Sequence, residues 1–183
     1  MAIAIPKNKK YTYEDYAKLP EGAPYQLIGG ELIMTPAPTP YHQRISSKLS
    51  YFLCDFIFKR NLGEVFNAPI DVYFEETETY QPDIIFISKE RLDIIKETKI
   101  EGAPDLVIEI LSPATAYYDL RKKFKIYEKH AVKEYWIVDP EEKSIEIYQN
   151  QEGQFKLIQM AKEKDTVNSS LFKDFELNLE KIF

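Results

Sequence analysis

The chain has 183 residues, 44% hydrophobic and 30% charged, with a net charge of −6 at pH 7. That length suits a single domain over residues 1–183 with a substantial core, and the acidic balance speaks against a general nucleic-acid coat, which would be basic. No apolar run approaches the roughly 18 residues needed to span a bilayer, so no membrane partner is expected.

The opening MAIAIPKNKK sets a very short apolar piece before its lysines, the reverse of a secretory signal. Cys54 is the single cysteine, so no intramolecular disulfide can form, and a buried structural thiol is expected. Both features point to a cytoplasmic protein.

Along the chain, residues 11–19 (YTYEDYAKL) predict a short helix with Thr12 as N-cap. YQLIGGELIM predicts two short strands around a Gly-Gly turn. After the proline-rich TPAPTP, Thr39 and Pro40 start a helix to about Arg60, with Ile45, Leu49, Phe52 and Phe56 as its apolar stripe. EVFNAPIDVYF and DIIFIS read as strands separated by a polar loop, EETETYQ. A short charged helical piece near residues 89–97 precedes PDLVIEIL, which is apolar on both faces except for Glu109, as a central strand should be. Residues 115–131 predict an amphipathic helix and EYWIVD a strand that Asp139-Pro140 ends. SIEIYQN and FKLIQM predict a hairpin, and LFKDFELNLEKIF a strand with a short terminal helix. Strands and helices in this order predict one mixed β-sheet flanked by helices, an α/β or α+β domain with an N-terminal hairpin and a C-terminal β extension.

Two carboxylates stand out because they interrupt apolar strands. Asp83 opens QPDIIFIS and Glu109 lies inside PDLVIEILS. A buried carboxylate costs several kcal/mol unless it is paired, hydrogen-bonded or bound to a cation. Asp83 reads either as a cap at a strand start or as a ligand, and Glu109 either as the partner of a buried Lys or Arg or as a ligand. Charge is uneven around them: residues 64–109 carry 12 acidic and 4 basic side chains, residues 119–133 carry 2 and 6. At about 100° per residue, Tyr117, Leu120, Phe124, Tyr127 and Ala131 fall on one helix face, which should cover the sheet. Lys123 lies at the flank of that face, with Asp119 one turn earlier, whereas Arg121, Lys122 and Lys125 point to solvent. Lys123 is therefore the basic residue best placed to lean toward Glu109; the other reading is an exposed pair with Asp119.

His42 falls in the first turn of the 40–60 helix, on the face of Ile45. It is either a core-edge histidine or a group for a substrate phosphate or a proton relay. Gln43 beside it could contact substrate, and Asp71 in APIDVYF could sit near the same pocket on a neighbouring strand. The sequence holds no Gly-rich phosphate loop, no zinc-type Cys/His spacing and no serine nucleophile elbow. Trp136 and the tyrosines read as core residues.

Taken together, YTYEDY, LIGGELIMTPAPTPYHQRIS, GEVFNAPIDVYF, QPDIIFIS, IEGAPDLVIEILSPAT, DLRKKFKIYEKHAVKEYWIVDP and FELNLEKIF resemble the PD-(D/E)XK nuclease-like superfamily, and within it the large family of restriction-endonuclease-like proteins. Pro82-Asp83 matches the PD element and Glu109 the (D/E). Leu111 stands where the simple motif has lysine. The resemblance implies that the lysine has moved to the following helix, which makes Lys123 its counterpart. It further implies a restriction-endonuclease-like fold and a cofactor, Mg2+ or Mn2+, held by Asp83, Glu109 and the Ile110 carbonyl. Glu31, after the Gly-Gly turn, resembles an additional acidic residue near the metal, although an exposed hairpin glutamate is an equal reading. DNA is the substrate implied, hydrolysed at its phosphodiester bonds, and a homodimer would suit double-strand cleavage. The displaced lysine leaves a second expectation: a binding module that keeps the nuclease fold without turnover.

Overall fold

The computed structural model describes residues 9–183. The secretory-signal reading falls mainly on residues 1–8 and lies outside the described residues.

Thr12 caps helix α1 (Tyr13–Tyr16) through a reciprocal capping box with Asp15. Strands β1 (Tyr25–Ile28) and β2 (Glu31–Met34) form the expected hairpin. Its turn residues Gly29 and Gly30 have φ of 62° and 76°, which glycine adopts without a Cβ penalty. Helix α2 (Pro40–Arg60) starts at Thr39, whose hydroxyl accepts the His42 N–H, and ends on Asn61 in the left-handed region. Its inward line is Ile45, Leu49, Leu53, Phe56 and Ile57. Phe52, expected on that line, is half-buried at its edge, and Cys54 is half-buried instead of buried.

The chain continues through β3 (Gly63–Asn67), β4 (Val72–Glu75), β5 (Glu78–Tyr80), β6 (Ile84–Ser88), a 3₁₀ turn (Lys89–Ile94), β7 (Ile100–Glu101) and β8 (Leu106–Ile110). A π-helical turn (Tyr118–Lys123) runs into α3 (Phe124–Lys129). After it come β9 (Glu134–Asp139), β10 (Ser144–Gln151), β11 (Gln154–Lys162), β12 (Thr166–Asn168) and β13 (Glu176–Asn178). Strand β5 lies inside EETETYQ, which the sequence reading made a loop. Its Glu78 is buried because the carboxylate accepts the Gly29 N–H at 2.8 Å and the Tyr80 hydroxyl at 2.5 Å.

The expected single mixed sheet is two large sheets and a small one among the described residues. Five strands run in the order β2-β1-β5-β4-β7, six in the order β11-β10-β9-β8-β6-β3, and β12 pairs with β13. Pro69 lies between β3 and β4, where its missing N–H cannot support a ladder. The six-stranded sheet is the middle layer. On one face, Ile84, Phe86, Leu106, Ile108, Trp136 and Val138 pack against α2 and the C-terminal segment. On the other, Ile85, Ile87, Val107, Tyr135 and Ile137 meet Tyr127 of α3 and Val72, Phe74 and Tyr80 of the five-stranded sheet. Alternation along β8 therefore turns Glu109 toward α3 and the second sheet.

Candidate active site

Strands β6 and β8 are antiparallel, with Ile84 opposite Ile108. Continuing that register by one residue sets Asp83 opposite Glu109, the geometry that brings side chains of neighbouring strands together. The Ile110 N–H donates to Asp83 Oδ2 at 2.8 Å, fixing the carboxylate across the strand pair. Parallel β9 borders β8 on its other edge, pairing Glu109 with Ile137. Glu109 is only 3% exposed, whereas a fifth of the Asp83 side chain reaches solvent.

Lys123 enters this pocket from the π-helical turn. Its Nζ lies 2.9 Å from Glu109 Oε1 and 2.9 Å from Asp119 Oδ1. The Tyr127 hydroxyl donates to the same Glu109 oxygen at 2.6 Å. Asp119 Oδ2 accepts from the Thr115 hydroxyl at 3.0 Å, and the Tyr135 hydroxyl donates to the Asp119 carbonyl at 3.2 Å. The Tyr80 ring lies beneath the ammonium, with its centroid 5.8 Å away. Both bland expectations are thus present in one cluster: Glu109 does pair with a buried lysine, and Lys123 does pair with Asp119, in the interior instead of at the surface.

The helix face needs correction. Tyr117, Leu120 and Ala131, expected against the sheet, are exposed, and Phe124 is half-buried. The buried line is Asp119, Lys123 and Tyr127. In an α-helix, residues four apart drift by about 40° around the axis. The wider i→i+5 turn makes a four-residue step fall short of a full turn, and α3 then overshoots, so acid, lysine and tyrosine end on one inward line.

These contacts set the charges. Burial pushes the Glu109 pKa up; the Lys123 ammonium opposes this, Asp119 and Asp83 add to it, and the net direction is upward. Burial disfavours the Lys123 ammonium, but Asp119 and Glu109 outweigh it and hold the lysine above its ordinary value. Burial also favours neutral His42, yet Asp83 and the Ile110 carbonyl prevail and raise its pKa. Among the described residues, no cluster of three or more His, Cys, Asp or Glu side chains is arranged to hold a metal.

Of the other residues singled out by sequence, His42 is brought in. Its Nε2 lies 3.1 Å from the Ile110 carbonyl and 3.4 Å from Asp83 Oδ2. Glu31 stays on the exposed side of the π turn, with Oε2 3.8 Å from Lys122 Nζ. Gln43 is exposed on α2. Asp71 turns elsewhere, accepting the Tyr16 hydroxyl at 2.8 Å and the Gln81 amide at 2.9 Å. Sequence reasoning placed Tyr127 among core residues and gave Thr115 and Tyr80 no role at the cluster. A four-residue spacing from Asp119 through Lys123 to Tyr127 was the available signal.

A strand carboxylate pair, a lysine delivered by the following helix and a mixed sheet between helices define a restriction-endonuclease-like nuclease fold. The chain belongs to the Uma2 family, described as "Putative restriction endonuclease", whose model matches residues 13–180. A crystal structure from Anabaena variabilis, described as a "putative nuclease belonging to DUF820", superposes with a TM-score of 0.78 at 24% identity, covering 94% of this chain and 97% of that one. At that identity the likeness establishes the fold. Two proteins of Synechocystis sp. are similar in sequence: "Uncharacterized protein sll1609", 26% identical over 93% of this chain and 99% of its own length, and "Uncharacterized protein slr1290", 24% identical over 73% and 70%.

Proposed function

We propose that this chain is a metal-dependent endonuclease that hydrolyses phosphodiester bonds of DNA with Mg2+ or Mn2+. One observation carries the reading: a buried lysine held 2.9 Å from a strand carboxylate, with a second carboxylate, Asp83, accepting the Ile110 N–H of the same strand at 2.8 Å. Structural ion pairs do not require that second carboxylate.

Asp83, Glu109 and the Ile110 carbonyl would hold the cation. Two carboxylates and a carbonyl match the oxygen set Mg2+ uses, leaving positions for water and phosphate oxygens. Burial is what raises the Glu109 pKa, and a cation beside the carboxylate would oppose that shift. When bound, such a cation neutralises the scissile phosphate and acidifies its water. The protein's own residues do the rest. Lys123, kept as an ammonium, donates charge to the phosphoryl oxygens and orients the attacking water. Tyr127 and Asp119 fix its direction, and His42 braces Asp83 against the end of β8. A homodimer would present two such sites to opposite strands, and the cytoplasm suits a nuclease of this kind.

The test is nicking of supercoiled plasmid in Mg2+ or Mn2+, which Asp83→Ala and Lys123→Ala should each abolish in folded protein. Cleavage persisting in both variants would remove these residues from the reaction. A binding module without turnover is the second reading. Leu111 at the motif's lysine position and a Lys123 ammonium already shared by two carboxylates favour it. Retention of DNA in a mobility-shift assay without cleavage, across Mg2+ and Mn2+, would establish that reading instead.

A further inference from the structure

A cleft of about 470 Å³ lies apart from the carboxylate–lysine cluster, between the loop 17–23 and the turn 69–71. Leu19, Pro20 and Ile70 give it apolar walls, Asp71 and Gln81 a polar floor, and Glu21 an acidic lip. The floor is preorganised. Both hydrogen bonds to Asp71 end on Oδ1, from the Tyr16 hydroxyl and the Gln81 amide, so Oδ2 has no partner among the described residues. The Gln81 side chain likewise donates twice, to Tyr16 Oη at 3.3 Å and to Asp71, which leaves its carbonyl oxygen as an acceptor. Two side chains with an acceptor oxygen to spare, held in place by these bonds, therefore line a cleft that also has apolar walls.

The cleft is tied to Asp83 in two ways. Gln81 precedes Asp83 by two residues, about 7 Å of extended chain. The Ala68 N–H, next to the cleft's Pro69, donates to the Asp83 carbonyl at 3.0 Å. A strand whose phosphodiester reached Asp83 would thus bring a neighbouring base within range.

We propose that this cleft is a nucleobase subsite, taking an unpaired or extruded base that carries an amino group: adenine, cytosine or guanine. The nucleic-acid substrate is taken from the nuclease reading above. Among the described residues no lysine or arginine lines the cleft, and Asp71 and Glu21 would repel phosphate, so the backbone stays outside and the base enters. A purely apolar ligand would strand both acceptors. An exocyclic amino group offers two N–H donors, one for each acceptor, whereas unpaired thymine offers a single N3–H flanked by two carbonyl oxygens that the acceptors repel. A base inside a duplex cannot reach such a pocket without leaving the stack, so the substrate class is single-stranded, branched or locally melted DNA.

The experiment is a titration of the full chain with adenosine, cytidine and thymidine, followed by backbone amide shifts without metal. Adenosine and cytidine should move the amides of Gln81 and residues 17–23, with thymidine at least about tenfold weaker. Asp71→Asn should weaken adenosine and cytidine about tenfold. Leu19→Arg, which fills the cleft without touching its floor, should abolish the shifts while the melting temperature confirms folding. Absent shifts, equal thymidine binding, or the same shifts from Mg2+ alone would each overturn the subsite. Nucleoside binding without plasmid cleavage would leave the subsite standing and remove the nuclease reading; cleavage without nucleoside binding would do the reverse.

Discussion

Asp119 and Lys123 stand four residues apart on a π-helical turn, yet both point into the core, with Nζ 2.9 Å from Oδ1. Neither side chain is more than 3% exposed. An exposed pair at this spacing contributes a few tenths of a kcal/mol. A buried one is different, because each charge has left water and depends on its partner. Lys123 is shared between Asp119 and Glu109, so the cluster answers as a unit.

Removing the cation tests that unit. Lys123→Met should abolish cleavage and lower stability by about 3 kcal/mol, since two carboxylates remain buried without a counter-charge. Adding Glu109→Gln should return much of the stability and none of the cleavage. Urea unfolding reads the first quantity and plasmid nicking the second. Unchanged stability in Lys123→Met would mean that the carboxylates find another counter-charge.

Asp119 should act through Lys123. Asp119→Asn should slow cleavage about 10- to 100-fold, the usual cost of losing a partner that orients a reacting group. Thr115→Val, which frees Asp119 Oδ2, should show a smaller loss. In urea unfolding, Asp119→Asn should cost less in a Lys123→Met background than in the parent, because the two side chains share one interaction. A fully additive loss would assign Asp119 an independent task.

Much of this site was legible before the structure. Asp83 and Glu109 announced themselves as carboxylates breaking apolar strands, and Lys123 was separated from its basic neighbours by helical phase. Phase also misplaced the surrounding residues. A constant 100° step assumes an α-helix, while the π turn rotates Tyr117 and Leu120 outward and makes Asp119–Lys123–Tyr127 the inward line. Strand β5 was hidden for another reason. Three glutamates and two threonines read as a polar loop, and only the tertiary partners of Glu78, the Gly29 N–H and the Tyr80 hydroxyl, make it a strand. The five-stranded sheet depends on β5, so its separation from the six-stranded sheet was not readable either.

Another buried carboxylate gives a pH test away from the site. Asp105 accepts the Ser88 N–H at 2.8 Å and meets Arg91 at 3.1 Å and Lys133 at 2.6 Å. Burial alone would raise its pKa, but Lys133, the Ser88 N–H and Arg91 outweigh it and hold the acid below the ordinary 3.8. A carboxylate depressed in the folded state adds stability above its unfolded pKa and loses it as pH falls through the folded value. Asp105→Asn should therefore cost about 2 kcal/mol at pH 7, and the gap should close below pH 3.8. Urea midpoints from pH 7 to pH 2.5 check this, and a gap constant across that range would exclude the ionised acid as its source.

Glu134 should govern how the C-terminal extension holds to the sheet. It is fully buried on β9, and its carboxylate accepts the Trp136 indole N–H at 2.6 Å, the Ser169 hydroxyl at 2.8 Å, the Ser170 N–H at 2.7 Å and the Ser170 hydroxyl. Those donors satisfy the charge without a cation, and they anchor the segment that carries Phe172, Phe175 and Leu177 into the core beside α2. Glu134→Ala leaves buried donors unpaired and a void, and should cost about 3 kcal/mol. Ser170→Ala removes one bond and should cost about 1 kcal/mol. Because the anchor is local, amide exchange in residues 169–178 should accelerate in Glu134→Ala under conditions where β8 and β9 remain protected. Equal acceleration in β8 and β9 would show that the extension and the central sheet open as one unit, with Glu134 serving the whole core instead of its last segment.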